Sequence, residues 1–94
     1  MSERPLIAII EDQEAIADLL REILIDSGYA AVQAPSATAA AAFAAETKPA
    51  LILLDVIMDD LSGWQILDQL RADPVTHLTP VSYTHLTLPT ILRV

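Results

Sequence analysis

Three carboxylates stand at the ends of apolar runs, in a pattern that could bind a divalent cation. Glu11 and Asp12 directly follow the run LIAII, and Asp55 ends the run LILLD. Two like charges about 4 Å apart repel by about 4 kcal/mol at an effective dielectric constant near 20, so a fold does not gather such groups for stability. A hard cation would offset the repulsion, since Mg²⁺ binds one or two carboxylates together with waters and phosphate oxygens. The residue types therefore indicate metal and phosphate chemistry, provided that the fold brings the two runs together.

Each of these acids, taken alone, has a simpler interpretation. A single Asp after a strand is most often a turn former or a helix N-cap, and Asp12 could cap the helix that follows it. Two acids at one strand end and a third at the end of another buried strand favour the metal site instead.

The apolar pattern predicts the elements that would position the acids. In chain order they are a strand over 6–10, a helix over 13–27, a strand over 29–34, a helix over 36–47 with Ser36 as N-cap, a strand over 50–55, a helix over 64–73 and a possible short strand near Pro80 and Val81. Such alternation predicts an α/β fold, a doubly wound parallel sheet with helices on both faces. Ligands bind outside the carboxyl ends of the strands in these sheets. If the first and third predicted strands are neighbours, the three acids meet at that edge.

Composition limits the class of protein. A chain of 94 residues with 53% hydrophobic residues is expected to form one small packed domain. The net charge of −8 argues against nucleic-acid binding through this segment, because phosphate contacts need clustered Lys or Arg. No apolar stretch approaches the roughly 20 residues of a membrane span, and no signal peptide is recognisable. We therefore expect a cytoplasmic domain with no membrane partner.

Four features of the sequence resemble the receiver domain of bacterial two-component response regulators. They are the acidic pair Glu11–Asp12, the buried LILLD that ends in Asp55, the loop DVIMDDLSGW with Gly63, and the segment LRADPVTHLTPV, which is similar to the family's third helix and its run into the fourth strand. Together they cover about residues 5–81. The resemblance implies a flavodoxin-like (CheY-like) sheet, here incomplete, with three helices and possibly a short fourth strand.

The resemblance also implies roles for individual residues. Asp55 would be the phosphoacceptor, taking a phosphoryl group from a sensor histidine kinase or a phosphotransfer protein. The cofactor would be Mg²⁺, held by Asp12 and Asp55, by Glu11 through water, and by the backbone carbonyl of Ile57. The chain would then act in two-component signal transduction and not as an enzyme.

The end of the chain departs from the family's pattern. The family has a Thr or Ser after the fourth strand and a Lys after the fifth, both of which contact the phosphoryl group, but no lysine follows Lys48. The segment VSYTHLTLPT is similar to a one-frame translation of a transposon-end adapter used in DNA library preparation. Residues 1–80 are therefore interpreted as a C-terminally truncated receiver domain and residues 81–94 as a non-native tail. The alternative is a genuine last strand over 81–88.

Four functional interpretations follow from these features. Loss of the Thr/Ser and Lys contacts predicts impaired phosphorylation, and an exposed sheet edge predicts self-association. A pseudo-receiver that signals through protein contacts without phosphorylation is the alternative, favoured by the missing lysine and disfavoured by the three acids. A phosphatase with an aspartyl-phosphate intermediate is disfavoured, because that chemistry typically needs an Asp where Ile57 stands.

Overall fold

A computed structural model describes residues 4–55 and 63–84, in which strands and helices alternate. The elements are β1 (Leu6–Ile10), α1 (Glu14–Asp26), β2 (Ala30–Gln33), α2 (Ala40–Thr47), β3 (Leu51–Asp55), α3 (Gly63–Ala72) and β4 (Val81–Thr84). The strands pair in parallel in the order β2-β1-β3-β4. The predicted fold class, including the short fourth strand, is confirmed.

The first strand has a side-chain pattern suited to burial on both faces, as expected for a strand in the middle of the sheet. Ile7, Ala8, Ile9 and Ile10 are all buried, with exposures between 0% and 4%. A continuous apolar run of this kind is typical of a parallel strand covered by helices on either side. β1 therefore lies between β2 and β3.

The main core lies between the sheet and the helices α2 and α3. It joins alternate strand residues to small and branched residues of the two helices: Ala8, Ile10, Ile52, Leu54, Val81, Ala40, Ala44, Ile66 and Leu70. Ala40 and Ala44 of α2 are fully buried, and their short side chains allow the helix to approach the sheet closely. The helix α1 packs against β1 and β2 and buries Ala17, whereas its Leu19 and Ile23 stay exposed.

The second helix begins later than the sequence predicts. Its first residue is Ala40 and not a residue next to Ser36, because residues 37–39 form a turn. The Ser36 hydroxyl accepts a hydrogen bond from the Ala39 backbone N–H at 3.1 Å, so it caps that turn instead of the helix. Lys48 ends the helix in the left-handed conformation, with φ of 49°.

The fourth strand extends the sheet on the far side of β3. The Ile52 N–H donates to the Pro80 carbonyl at 3.0 Å, and the register then pairs Ile52 with Val81 and Asp55 with Thr84. Val81 is 4% exposed and adds to the main core. The interpretation of residues 81–94 as a non-native tail stays a prediction. Among the described helices, none has the length and apolar character needed to cross a membrane.

Candidate metal centre

Two neighbouring strands deliver the predicted site residues to the same edge of the sheet. Ile10 at the end of β1 is the Cα partner of Leu54 in β3. Glu11 and Asp55, each one residue further along, therefore leave the sheet at the same level. Asp12 comes directly after Glu11, before α1 begins.

The structure brings three of the four predicted site residues together. One carboxylate oxygen from each of Glu11, Asp12 and Asp55 lies within 4.8 Å of the others. Glu11 is 5% exposed and Asp55 is 3% exposed, whereas Asp12 is open to solvent. The fourth predicted ligand, the carbonyl of Ile57, lies outside the described residues.

The pKa of Glu11 reflects its burial and the neighbouring carboxylates. Burial raises the pKa of the Glu11 carboxyl from 4.5 to about 7. A hydrogen bond from the Gln13 backbone N–H to Oε2, at 3.2 Å, lowers the pKa, while the neighbouring Asp55 carboxylate raises it. Within the described part of the chain, the other oxygen of Glu11, Oε1, is buried and has no hydrogen-bond partner. A buried acceptor in that state costs roughly 1–3 kcal/mol unless a ligand satisfies it.

These residues fit a hard divalent cation. All the side-chain donors are carboxylate oxygens, which Mg²⁺ and Ca²⁺ prefer over nitrogen or sulfur ligands. A cation would also satisfy the orphaned oxygen of Glu11 and offset the charge of two buried acids. The donor set and the unsatisfied oxygen thus agree with the metal that the sequence predicts.

The turn that carries the acids is tied to the neighbouring strand β2. The Gln33 side chain donates from Nε2 to the Glu11 backbone carbonyl at 3.1 Å. A cavity of about 250 Å³ opens between the two loops, lined among others by Glu11, Asp12, Glu14 and Ser36. Sequence reasoning missed Gln33, although a single polar residue at the end of an otherwise apolar strand is a usable signal for such a tether.

The register of β4 pairs the last residue of this strand with the last residue of β3. Thr84 is the Cα partner of Asp55. Thr84 is the last residue of β4, so the predicted absence of the family's Thr or Ser after the fourth strand stays a prediction. Next to it, the rings of Tyr83 in β4 and Trp64 in α3 lie 5.3 Å apart at an interplanar angle of 48°.

Comparison with known proteins decides the family. A family model described as the response regulator receiver domain matches residues 7–90. The chain belongs to that family. Receiver domains are signalling modules of two-component systems, are phosphorylated on an aspartate by histidine kinases or phosphotransfer proteins, and bind Mg²⁺ in an acidic pocket.

Individual relatives agree in sequence and in fold. The chain is 35% identical over 81 residues to the regulatory protein VanRc of Enterococcus gallinarum, covering 86% of this chain and 33% of that protein. It is 32% identical over 75 residues to the polar-differentiation response regulator DivK of Brucella ovis, covering 80% of this chain and 61% of that protein. The N-terminal domain of a response regulator receiver protein from Methanoculleus marisnigri JR1 superposes with a TM-score of 0.79 at 30% identity, covering 84% of this chain and 64% of that one. The chain thus spans about a third of the length of VanRc.

Proposed function

We propose that this receiver domain accepts a phosphoryl group on Asp55. The observation that carries the proposal is the convergence of the Glu11, Asp12 and Asp55 carboxylates within 4.8 Å at the carboxyl edge of a parallel sheet. Asp55 is the last residue of a buried strand, so its backbone is fixed while its carboxylate reaches the edge where ligands bind.

The reaction is a displacement at phosphorus. A carboxylate oxygen of Asp55 attacks the phosphorus of a phosphohistidine on a sensor histidine kinase or phosphotransfer protein. The new P–O bond forms as the P–N bond breaks, and the donor's imidazole leaves with the electron pair of that bond. The product is an aspartyl phosphate on this chain, and the donor regains a neutral histidine after taking a proton from solvent.

Asp12 and Asp55 are the proposed direct ligands of Mg²⁺, with Glu11 acting through water and the Ile57 carbonyl as a further ligand. Bound Mg²⁺ supplies positive charge that stabilises the transferring phosphoryl group. The residues themselves position the nucleophile: the Gln13 N–H and the Gln33 side chain hold the Glu11 segment in place beside Asp55. Phosphoryl transfer depends mostly on such positioning and on charge.

Phosphorylation of the 94-residue chain is proposed to be impaired. No lysine follows Lys48, so this chain supplies no ammonium group from that side to pair with the phosphoryl group. The family's Thr/Ser contact is proposed to be missing as well, since residues 81–94 are proposed to be a read-through tail. We therefore expect slow phosphorylation or a short-lived aspartyl phosphate, and not a complete loss.

The direct test is phosphorylation by a small-molecule phosphodonor in the presence of Mg²⁺, followed by intact mass and hydroxylamine sensitivity. Wild-type chain should gain one phosphoryl group that hydroxylamine removes, and Asp55→Asn should gain none. Asp68→Asn, a change at an exposed aspartate of α3, is the matched control and should behave as wild type. Equal labelling of wild type and Asp55→Asn would contradict the proposal.

A phosphorylation-independent interaction module is the second candidate, because of the missing lysine. The two candidates differ in what Asp55→Asn does to partner binding. A module that signals only through protein contacts keeps its partner affinity in this variant with and without phosphodonor. A phosphoacceptor loses the response to phosphodonor.

Three further points belong to the same proposal. The domain works in the cytoplasm, where donors charged by ATP are found.

Residues 1–80 form the native part of the domain and residues 81–94 a read-through tail, which sequencing of the source gene would decide. Among the described strands, none pairs with the outer edge of β4, and this edge is proposed to bind a second copy. Sedimentation of the chain over a dilution series should then show a concentration-dependent mass, and a constant monomer mass would contradict this.

A further inference from the structure

The acidic turn, residues 11–13, lies just beyond the backbone ladder that joins β1 to β2. In that ladder the Ala34 N–H donates to the Ile9 carbonyl at 2.9 Å. Bonds between parallel strands are evenly spaced, with one bond for every second residue. A ladder that continued by one more bond would therefore run from the Ser36 N–H to the Glu11 carbonyl.

A side chain takes the place of that backbone bond. The strand β2 ends at Gln33, and Pro35 has no N–H to offer to a ladder. The Gln33 side chain donates instead from Nε2 to the Glu11 carbonyl at 3.1 Å. Within residues 4–55, the amide of Gln33 thus ties the acidic turn to the sheet after the backbone of β2 has left it.

The carbonyl that Gln33 holds belongs to the peptide that joins Glu11 to Asp12. This peptide is planar, so the direction of its carbonyl restricts where the Asp12 backbone lies. From there the Asp12 carboxylate comes within 4.8 Å of the carboxylates of Glu11 and Asp55. On the other side of Asp12, the Gln13 N–H donates to the Glu11 carboxylate at 3.2 Å. The turn is therefore held on both sides of Asp12.

Asp12 is the acid whose position depends most on this turn. Glu11 and Asp55 are buried, at 5% and 3% exposure, so the packing around them limits where they can move. Asp12 is exposed and lies between β1 and α1, outside both elements. Repulsion from the other two carboxylates favours a turn that carries Asp12 away from them into solvent. A bond that fixes the turn opposes this movement.

We propose that Gln33 is a positioning residue for Mg²⁺. Its hydrogen bond to the Glu11 carbonyl holds the acidic turn so that the Asp12 carboxylate stays beside Asp55 before the metal arrives. This inference rests on the proposed function, in which these carboxylates bind Mg²⁺. Gln33 acts through the backbone of Glu11 and is not itself a ligand. Ligands that are already in place lose less conformational freedom on binding, so the bond should increase metal affinity.

The first measurement is the Mg²⁺ affinity of the full 94-residue chain, by calorimetric titration of wild type and Gln33→Met. Methionine has nearly the length of glutamine but no N–H donor. The variant should bind Mg²⁺ about tenfold more weakly, in line with the loss of other groups that orient metal ligands from outside the ligand set. Gln69→Met, the same change at an exposed glutamine of α3, is the matched control and should bind as wild type. Equal affinity in wild type and Gln33→Met would overturn the assignment.

A second variant separates positioning from a general loss of stability. Thr76 is 1% exposed, and its hydroxyl donates to the Leu70 carbonyl at 2.7 Å in the connection between α3 and β4. Thr76→Val should unfold at lower urea concentration than wild type and yet keep its Mg²⁺ affinity. If Thr76→Val weakened Mg²⁺ binding as much as Gln33→Met does, the effect would be one of stability and the assignment would fail.

The bond itself can be observed without metal. In EDTA, the carbonyl ¹³C resonance of Glu11 should move upfield in Gln33→Met, because the carbonyl loses a hydrogen-bond donor. The same resonance should stay in place in Gln69→Met and in Thr76→Val. An unchanged Glu11 resonance in Gln33→Met would show that the bond is absent in solution and would overturn the assignment.

The last measurement distinguishes a failure of this inference from a failure of the proposed function. With a small-molecule phosphodonor at limiting Mg²⁺, Gln33→Met should be labelled about tenfold more slowly than wild type. At saturating Mg²⁺ its rate should approach that of wild type, since Asp55 is unchanged. Slow labelling at every Mg²⁺ concentration would overturn the assignment. If wild type binds Mg²⁺ but is never labelled, the proposed function fails and the Mg²⁺ affinities still decide the role of Gln33. A wild type that binds no Mg²⁺ would overturn both.

Discussion

The two ends of β3 differ in how the polar groups around them are paired. At the amino end, Arg71, Thr76 and Pro80 pair the backbone groups of the incoming chain through short hydrogen bonds. At the carboxyl end, Asp55 lies beside Glu11, whose Oε1 is buried without a hydrogen-bond partner among the described residues. One end therefore pairs its polar groups, and the other gathers three acids around a buried oxygen that lacks a hydrogen-bond partner in the described part of the chain. Under the proposed function, a bound cation would stabilise the carboxyl end and leave the amino end unchanged.

Adding Mg²⁺ should produce the largest difference in thermal stability between variants at the two ends of β3. A ligand that binds only the native state at about 100 times its Kd raises the free energy of unfolding by about 2.7 kcal/mol. Thermal unfolding followed by circular dichroism should therefore show a higher Tm in Mg²⁺ than in EDTA. Asp12→Asn should lose most of this shift, and Thr76→Val should keep it even though its starting Tm is lower. A wild-type Tm that does not respond to Mg²⁺ would contradict the metal site.

Removing a hydrogen bond at the amino end should lower stability with or without metal. Thr76→Val keeps the size of a fully buried side chain but leaves the Leu70 carbonyl without its hydroxyl donor. The expected loss is about 1–2 kcal/mol in the free energy of unfolding, measured by urea denaturation. Thr38→Val, at an exposed threonine in the turn before α2, is the control and should change stability little. Equal stability of Thr76→Val and wild type would remove the contrast between the two ends.

At the carboxyl end of β3, the free energy of unfolding should depend on pH, and removing a buried acid should raise it in the absence of metal. In EDTA the folded protein holds the Glu11 proton up to a pKa of about 7, whereas the unfolded chain releases it near 4.5. Between these values the native state binds more protons, so the free energy of unfolding falls as pH rises from about 4.5 to 7, and the loss is complete above 7.

Glu11→Gln isolates this contribution, because an amide cannot ionise. In EDTA at pH 8 the variant should be more stable than wild type, and the difference should shrink as the pH falls towards 4.5. In Mg²⁺ the order should reverse, since the variant has lost a carboxylate of the metal cluster. Urea denaturation at several pH values measures both effects. A difference between the two proteins that stays constant with pH would contradict the raised pKa.

The sequence predicts the carboxyl end well and the amino end poorly, for physical reasons. Apolar runs such as LIAII and LILLD determine burial on both faces, and parallel neighbours must then bring Glu11, Asp12 and Asp55 to one edge. The contacts of Arg71 leave no comparable pattern. A long side chain on an exposed helix turn has many rotamers, and only the tertiary path of the next segment determines which carbonyls it reaches. The start of α2 was missed for a similar reason, because Ser36 can cap a turn or a helix equally well.

The ring contact between Trp64 and Tyr83 makes the fluorescence of the chain sensitive to the position of β4. Trp64 is the only tryptophan in the chain, and its ring is 5.3 Å from that of Tyr83, the residue before Thr84. At such a separation, energy absorbed by the tyrosine passes to the tryptophan before it can be emitted. Undocking of β4 would restore tyrosine emission and dim the tryptophan band. The unlabelled domain thus contains a natural fluorescence reporter for the position of β4 next to Asp55.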